Sequence, residues 1–138
     1  MDKPRILLVD DDIEFVSGLQ RKFINRGFKK TVFAESGPKA LDIMSRQGFD
    51  VAILDVRMPE MDGLKLLVEI CSKWPGVETI LLTGYATVPV AVEGMRKGAY
   101  DFLIKPASMD VLEARVNAAF AKKIAHDELK REKDTASA

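Results

Sequence analysis

The sequence predicts a doubly wound α/β domain with a five-stranded parallel sheet and five helices, because short apolar runs alternate with helical patterns along the chain. The five runs are Ile6 to Val9, Thr31 to Ala34, Val51 to Leu54, Thr79 to Leu82 and Phe102 to Ile104. None of them alternates apolar with polar residues, which is typical of strands buried on both faces of a parallel sheet. Right-handed crossovers between such strands leave few possible topologies.

Helices are predicted where apolar residues recur three or four positions apart. The first helix carries Val16, Leu19 and Phe23 and ends near Gly27; the second begins at Ser36 and Pro38 and closes near Gly48. A third has Leu64, Leu67, Val68 and Cys71 at i, i+3, i+4 and i+7, so we expect Cys71 to pack in a core. The last helix, with Ser108 as its expected N-cap, carries Leu112, Val116, Ala119, Phe120 and Ile124.

Length and composition narrow the class of protein. The chain has 138 residues and is 47% hydrophobic, which fits one globular domain with a proper core. Its 21 basic and 21 acidic residues cancel, so direct nucleic-acid binding is not expected. The single cysteine, Cys71, cannot form an internal disulfide, and no apolar run is long enough to span a bilayer. A cytoplasmic domain without membrane contact is the expectation.

The C-terminal segment differs from the rest in composition. From His126 onward it contains one large apolar residue, Leu129, and many charges that alternate in sign. We therefore expect a folded domain over residues 1–124, followed at 125–138 by a helical tail or the start of a linker.

Polar residues follow all five predicted strands, where the sites of α/β sheets form, and only Glu35 after the second strand is expected to lie to one side. Asp10, Asp11 and Asp12 end the first strand, Asp55 the third, Thr83 the fourth and Lys105 the fifth. Three adjacent carboxylates repel one another unless a cation or a helix cap relieves them. Hard oxygen ligands with room for water suit Mg²⁺, so the sequence predicts a magnesium site, with Asp12 as a plain N-cap.

Four motifs in register resemble those of the response-regulator receiver domain, the CheY-like phosphoacceptor of two-component signalling. They are "ILLVDDD", "AILDVRMPEMDG", "LLTG" and "DFLIKP", and the resemblance covers roughly residues 4–124. It implies a flavodoxin-like sheet with strand order 2-1-3-4-5. The stretch "TGYATVPVAVEGMRKGAYDFLIKP" is most similar to receivers attached to transcriptional activators.

The resemblance also implies roles for individual residues. Asp55 matches the phosphorylated aspartate, while Asp11 would ligate Mg²⁺ directly and Asp10 mainly through water. The backbone carbonyl of Arg57 would complete the protein ligands. Lys105 matches the family's lysine and is expected to precede a cis proline, Pro106.

Further implied roles concern the switch and its partners. Thr83 matches the switch hydroxyl and Phe102 the switch aromatic, although Phe102 could also be a plain core residue. Both would act on the face formed by the fourth helix, fifth strand and fifth helix. Arg57 and Tyr85 flank the path of hydrolytic water and should prolong the phosphorylated state. The implied partners are a sensor histidine kinase or phosphotransfer protein, an unknown output domain or partner, and a second copy in a homodimer.

The enzyme alternative is a Mg²⁺-dependent aspartyl-phosphate phosphatase of the haloacid-dehalogenase type. Its nucleophile lies on the first strand in a D-x-D motif that is followed, two residues later, by Thr or Val. Asp10 and Asp12 satisfy the D-x-D, but the later position is Glu14, and the chain contains no Gly-Asp dipeptide. The alternatives differ in which residue carries phosphate, Asp55 or Asp10. The receiver interpretation implies a signalling domain with at most slow self-dephosphorylation.

Overall fold

The computed structural model describes residues 3–136. Positions 1–2 of the domain predicted over 1–124, and positions 137–138 of the tail predicted over 125–138, lie outside the described residues. Strands and helices alternate along the chain, which confirms the predicted α/β class. The elements are β1 (Ile6–Val9), α1 (Ile13–Asn25), β2 (Thr31–Ala34), α2 (Gly37–Arg46), β3 (Val51–Leu54), α3 (Gly63–Lys73), β4 (Glu78–Thr83), α4 (Val88–Arg96), β5 (Asp101–Ile104) and α5 (Met109–Ala136).

The five strands form one parallel sheet in the order β2-β1-β3-β4-β5, as predicted. β1 pairs with β2 on one side and with β3 on the other, so Ile6 lies opposite both Thr31 and Val51. From β1 the chain adds β2 on one side, and it then crosses over to add β3, β4 and β5 on the other side, so the strand order reverses between β1 and β3. Because loops diverge at such a point, the carboxyl ends of β1 and β3 border a crevice.

The core has one layer on each face of the sheet. Alternate strand residues point to opposite faces, so Leu7 and Val9 pack with α2 and α3, whereas Ile6 and Leu8 pack with α1 and α5. β1 and β3 are fully buried. Burial on both faces is a wrong prediction for β2 and β5, where Ile104 is 60% exposed. These are the edge strands, which the helical layers cover incompletely.

Helix boundaries follow the predicted caps, with one error in the buried face. Ser36 and Ser108 accept hydrogen bonds from the backbone of the helices that they begin. In α3 the buried residues are Gly63, Leu66, Leu67 and Ile70. Val68, predicted to lie on the buried face, is 44% exposed, and Cys71 packs at the edge of the core. The apolar stripe is therefore rotated from the predicted one.

α5 continues to Ala136 without a break, past the predicted boundary between residues 124 and 125. Lys123 lies 3.5 Å from Asp50, so the helix still contacts the domain at that point. Beyond it, Leu129 is 67% exposed. The tail is helical, while the domain boundary itself stays a prediction. Among residues 3–136, no helix combines the length and the apolar character that crossing a membrane requires.

Candidate functional site

Three carboxylates meet at the carboxyl ends of β1 and β3. Asp10 follows β1 and Asp55 follows β3, and the Asp55 N–H donates to the Val9 carbonyl at 2.9 Å, which extends the ladder between the strands. One carboxylate oxygen from each of Asp10, Asp11 and Asp55 lies within 4.8 Å of the other two. Asp10 and Asp55 are buried, at 4% and 9% exposure, and Asp11 faces solvent. The sequence-predicted acidic set is thus brought together.

Lys105 reaches this cluster from the end of β5. Its Nζ lies 2.7 Å from Asp10 Oδ2 and 3.6 Å from Asp55 Oδ2. The peptide bond between Lys105 and Pro106 is cis, as expected from the resemblance. One ammonium therefore bridges the two buried carboxylates.

The charges of this cluster do not cancel. Burial raises the pKa of Asp10, and it outweighs the hydrogen bond from Lys105, which acts in the opposite direction. For Lys105, burial lowers the pKa, but the hydrogen bond to Asp10 and the charges of Asp10 and Asp55 outweigh it and leave the pKa raised. Burial therefore dominates the raised pKa of Asp10, whereas the hydrogen bonds and charges of the two carboxylates dominate the raised pKa of Lys105. A hard divalent cation with oxygen ligands fits this donor set.

The loop after β3 holds the Asp55 carboxylate and its backbone in place. Asp55 Oδ1 accepts from the Val56 N–H at 2.8 Å, and the Val56 carbonyl accepts from the Gly63 N–H at 2.7 Å. A Cβ at Gly63 would lie 2.0 Å from the Asp55 carbonyl oxygen, so only glycine permits this approach. Asp62 caps α3 by accepting from the Lys65 N–H. The Asp-Gly pair of the motif therefore has a structural role beside Asp55.

Asp12 has the structural role predicted for it. Its Oδ1 accepts from the Phe15 N–H at 3.1 Å, which caps α1. Its own N–H donates to Asp10 Oδ1 at 2.9 Å. The run of three aspartates thus divides into two members of the acidic cluster and one helix cap.

Thr83 ends β4, the strand between those that precede Asp55 and Lys105. Its side chain is buried, at 1% exposure, and Oγ1 accepts from the Tyr85 N–H at 3.0 Å. Phe102 lies on β5 opposite Leu81 and is half-buried against the core layer of α2 and α3. The Lys105 N–H donates to the Thr83 carbonyl at 3.0 Å, so Thr83 borders the site through its backbone, and Phe102 lies on β5, the strand that leads to Lys105.

Two aromatic contacts with cations border the site. The guanidinium carbon of Arg57 lies 3.5 Å from the centroid of the Tyr85 ring, which joins the loops after β3 and β4. Lys105 Nζ lies 4.3 Å from the centroid of the Phe15 ring. The sequence identifies Arg57 and Tyr85 as a pair but does not indicate the contact of Phe15. The one feature that could have pointed to it is its position, about one helical turn after the run of aspartates.

A family model for the response regulator receiver domain matches residues 6–117. The chain belongs to this family. It is thus the receiver domain of a two-component response regulator and a signalling domain, with a CheY-like fold. Receivers accept a phosphoryl group on an aspartate, generally bind Mg²⁺ at an acidic pocket and belong to proteins that interact with histidine kinases. The phosphatase alternative is not supported.

Similar proteins agree with this family. The receiver is 41% identical over 120 residues to the transcriptional regulatory protein ZraR of Escherichia coli K12, covering 87% of this chain and 27% of ZraR. It is 43% identical over 115 residues to the regulatory protein AtoC of the same organism, covering 83% of this chain and 25% of AtoC. The chain therefore spans about a quarter of the length of these relatives.

Solved receiver structures superimpose closely on this receiver. A CheY-like receiver domain protein from Methanospirillum hungatei JF-1 gives a TM-score of 0.85 at 25% identity, covering 91% of this chain and 99% of that one. The receiver domain of the Francisella response regulator 1452 gives 0.80 at 31% identity, covering 87% and 98%.

Proposed function

We propose that Asp55 is the residue phosphorylated in this receiver, by a partner histidine kinase or phosphotransfer protein and with Mg²⁺ bound. The observation that carries the proposal is the position of the Asp55 carboxylate, buried beside Asp10 and Asp11 and 3.6 Å from the Lys105 ammonium. Asp10, with Lys105 already on one oxygen, and the solvent-facing Asp11 would hold the metal together with Asp55 and the backbone carbonyl of Arg57. Bound there, Mg²⁺ would supply positive charge to the phosphoryl oxygens.

The transfer requires little from the protein beyond charge and orientation. A bond forms between an Asp55 carboxylate oxygen and phosphorus while the bond from phosphorus to the donor imidazole nitrogen breaks, and the imidazole leaves. The Val56 N–H fixes the rotation of the Asp55 carboxylate through Oδ1, so Oδ2 stays on the side of Lys105. Lys105 then neutralises charge on the transferred group.

Metal-dependent labelling tests this assignment. Acetyl phosphate with Mg²⁺ should add one phosphoryl group to the wild-type protein, measured as intact mass. Asp55→Asn should remove the labelling and chelation of Mg²⁺ should suppress it. Asp62→Asn is the matched control, because Asp62 is a nearby carboxylate that caps α3. Labelling of Asp55→Asn at the wild-type rate would contradict the proposal.

Thr83 and Phe102 would carry the signal from Asp55 to the face of α4, β5 and α5. The Thr83 hydroxyl lies buried at the strand end and accepts from the Tyr85 N–H. If the Thr83 hydroxyl turns to donate to a phosphoryl oxygen, it loses its contact with the Tyr85 N–H and leaves space behind it. The half-buried Phe102 ring can then rotate into this space. The apolar Phe102 ring buries no hydroxyl when it does so.

Amide NMR with and without beryllofluoride, a mimic of the aspartyl phosphate, tests the switch. The mimic should shift signals of α4 and β5 in the wild type and in Thr83→Ser, which keeps the hydroxyl. It should shift them much less in Thr83→Ala. Equal shifts in Thr83→Ala and the wild type would exclude Thr83 as the link.

The Arg57–Tyr85 contact supports slow self-dephosphorylation. By the resemblance, the two side chains would flank the path by which water reaches phosphorus opposite Asp55, and their stacking joins the two loops that would border this path. Arg57 offers only donors, so it cannot orient a water as a base does. We expect the phosphoryl group to last many minutes.

Decay of labelled protein measures this lifetime. Arg57→Asn with Tyr85→Glu should speed hydrolysis about ten-fold, equivalent to ~1.4 kcal/mol of barrier. Tyr85→Phe, which keeps the ring under the guanidinium, should decay like the wild type. Unchanged decay in the double variant would show that another group controls the water.

The output we propose is transcriptional, because ZraR and other relatives are transcriptional regulators. Dimerisation through α4, β5 and α5 would suit such an output. That face exposes several large apolar side chains, namely Val88, Val92, Met95, Ile104 and Val111. Sedimentation should show a beryllofluoride-dependent dimer that Ile104→Glu prevents, whereas a wild type that remains monomeric would contradict this proposal.

A further inference from the structure

We propose that Phe15 is a positioning residue for phosphoryl transfer, because the face of its ring holds the Lys105 ammonium above the acidic cluster. Lys105 Nζ lies 4.3 Å from the ring centroid, within the range of a cation–π contact. The proposal rests on the role proposed for Lys105 at Asp55. It adds a residue from α1 to a site otherwise built from strand ends and the loops that follow them.

The ring completes the surroundings of the ammonium. A lysine has three N–H donors, and two directions are taken by Asp10 Oδ2 at 2.7 Å and Asp55 Oδ2 at 3.6 Å. Phe15 provides a third contact. The Lys105 side chain is only 22% exposed, so little water competes, and a cation over an aromatic face gains most when it is desolvated.

Phe15 is itself held by the acidic run. Asp10 Oδ1 accepts from the Asp12 N–H, and Asp12 Oδ1 accepts from the Phe15 N–H. The ring packs against the core layer of α1 and α5. The contacts thus form a closed circuit from Asp10 through Asp12 and Phe15 to Lys105, and back to Asp10.

The ring contributes what the carboxylates cannot. Formation of the acyl phosphate removes the carboxylate charge of Asp55, and Asp10 is a proposed partner of the metal, so both anionic contacts of Lys105 change during the reaction. The Phe15 ring has no titratable group and is not a metal ligand. It therefore keeps the ammonium in place while its hydrogen bonds turn from carboxylate to phosphoryl oxygens. An aliphatic side chain would fill the space without attracting the cation.

Fluorinated phenylalanines at position 15 separate this attraction from packing. Each fluorine withdraws electron density from the ring face and changes its shape little, so the labelling rate with acetyl phosphate and Mg²⁺ should fall step by step. Phe15→Leu should reduce the rate about five-fold, equivalent to ~1 kcal/mol. The control is the same series at Phe23, a buried ring on the same helix that contacts the Phe28 ring edge-on; its rate should not change.

NMR of the Lys105 ε-methylene gives a readout that needs no phosphodonor. The Phe15 ring current should shift this signal upfield in the wild type, and Phe15→Leu should abolish the shift. A labelling rate that does not change with fluorination at Phe15 would overturn the inference, and so would the absence of the ring-current shift in the wild type. Labelling that persists in Asp55→Asn would instead overturn the proposed function, while the ring-current shift would still report the contact.

Discussion

Replacing Gly63 with alanine should destabilise the domain by about 3 kcal/mol. The new Cβ would lie 2.0 Å from the Asp55 carbonyl oxygen, 2.8 Å from its carbon and 2.9 Å from the Val56 Cα. An ordinary contact is at least 3.4 Å, so the first approach is too short by about 1.4 Å. All three neighbours are backbone atoms, which no rotamer change can move aside. Overpacking costs ~1–3 kcal/mol, and the upper end applies where backbone must shift.

Urea denaturation followed by circular dichroism measures this loss, and a melting temperature about 10 °C lower should accompany it. Gly18→Ala is the control, since Gly18 lies within α1 and its Cβ would meet only the mobile end of Arg21 at 3.7 Å. Alanine there should raise stability by up to ~1 kcal/mol through helix propensity. A Gly63→Ala protein within ~0.5 kcal/mol of the wild type would refute the reasoning from the close approach.

Three further outcomes are expected. Asp50→Asn should cost ~2 kcal/mol at neutral pH, because Arg5 donates to the Asp50 carboxylate from its backbone N–H and from its guanidinium. Burial raises the pKa of Asp50, but these hydrogen bonds outweigh it and leave the pKa lowered. The stabilisation is therefore full above the ordinary pKa of about 4 and is lost as pH falls through the lower folded-state value. A difference in free energy of unfolding between the wild type and Asp50→Asn that stays constant into strong acid would contradict this. Thr79→Val should raise the free energy of unfolding by ~1 kcal/mol, since the buried Thr79 hydroxyl has no hydrogen-bond partner among the described residues; a loss of stability would show that the hydroxyl is satisfied. Asp11→Ala should weaken Mg²⁺ binding in calorimetry about ten-fold or more, whereas Asp12→Ala should cost ~1 kcal/mol of stability as a lost cap and leave the affinity near that of the wild type. Equal affinities in the two variants would contradict the division of the aspartates.

The sequence predicts the strands well because burial in a parallel sheet demands unbroken apolar runs. The apolar runs alone do not reveal which strands lie at the edges; the strand order comes from the resemblance to receiver domains, and it does not say how much of an edge strand the helices cover. The exposure of Ile104 therefore does not follow from the apolar run that contains it. The helix α3 shows a similar limit. Its apolar residues allow overlapping stripes, and packing on the sheet selects the one with Leu66 and Ile70, leaving Val68 outside.

In the candidate site, too, some features follow from the sequence and others depend on the folded structure. Asp10, Asp11 and Asp55 follow from strand ends, because parallel strands bring their carboxyl ends to one edge. The contact of Lys105 with Phe15 does not follow, because it depends on the rotamers of two residues far apart in sequence. Likewise the resemblance paired Arg57 with Tyr85 through their positions, while their stacking is a property of the folded loops.

Mapping the phosphorylated residue tests the central claim most directly. Borohydride reduces an aspartyl phosphate to homoserine, so peptide mass spectrometry of labelled protein locates the modified position. After acetyl phosphate and Mg²⁺, homoserine should be found at position 55, and it should be absent when Mg²⁺ is chelated. Homoserine at Asp10 in place of Asp55, or labelled protein with no reducible residue, would contradict the account.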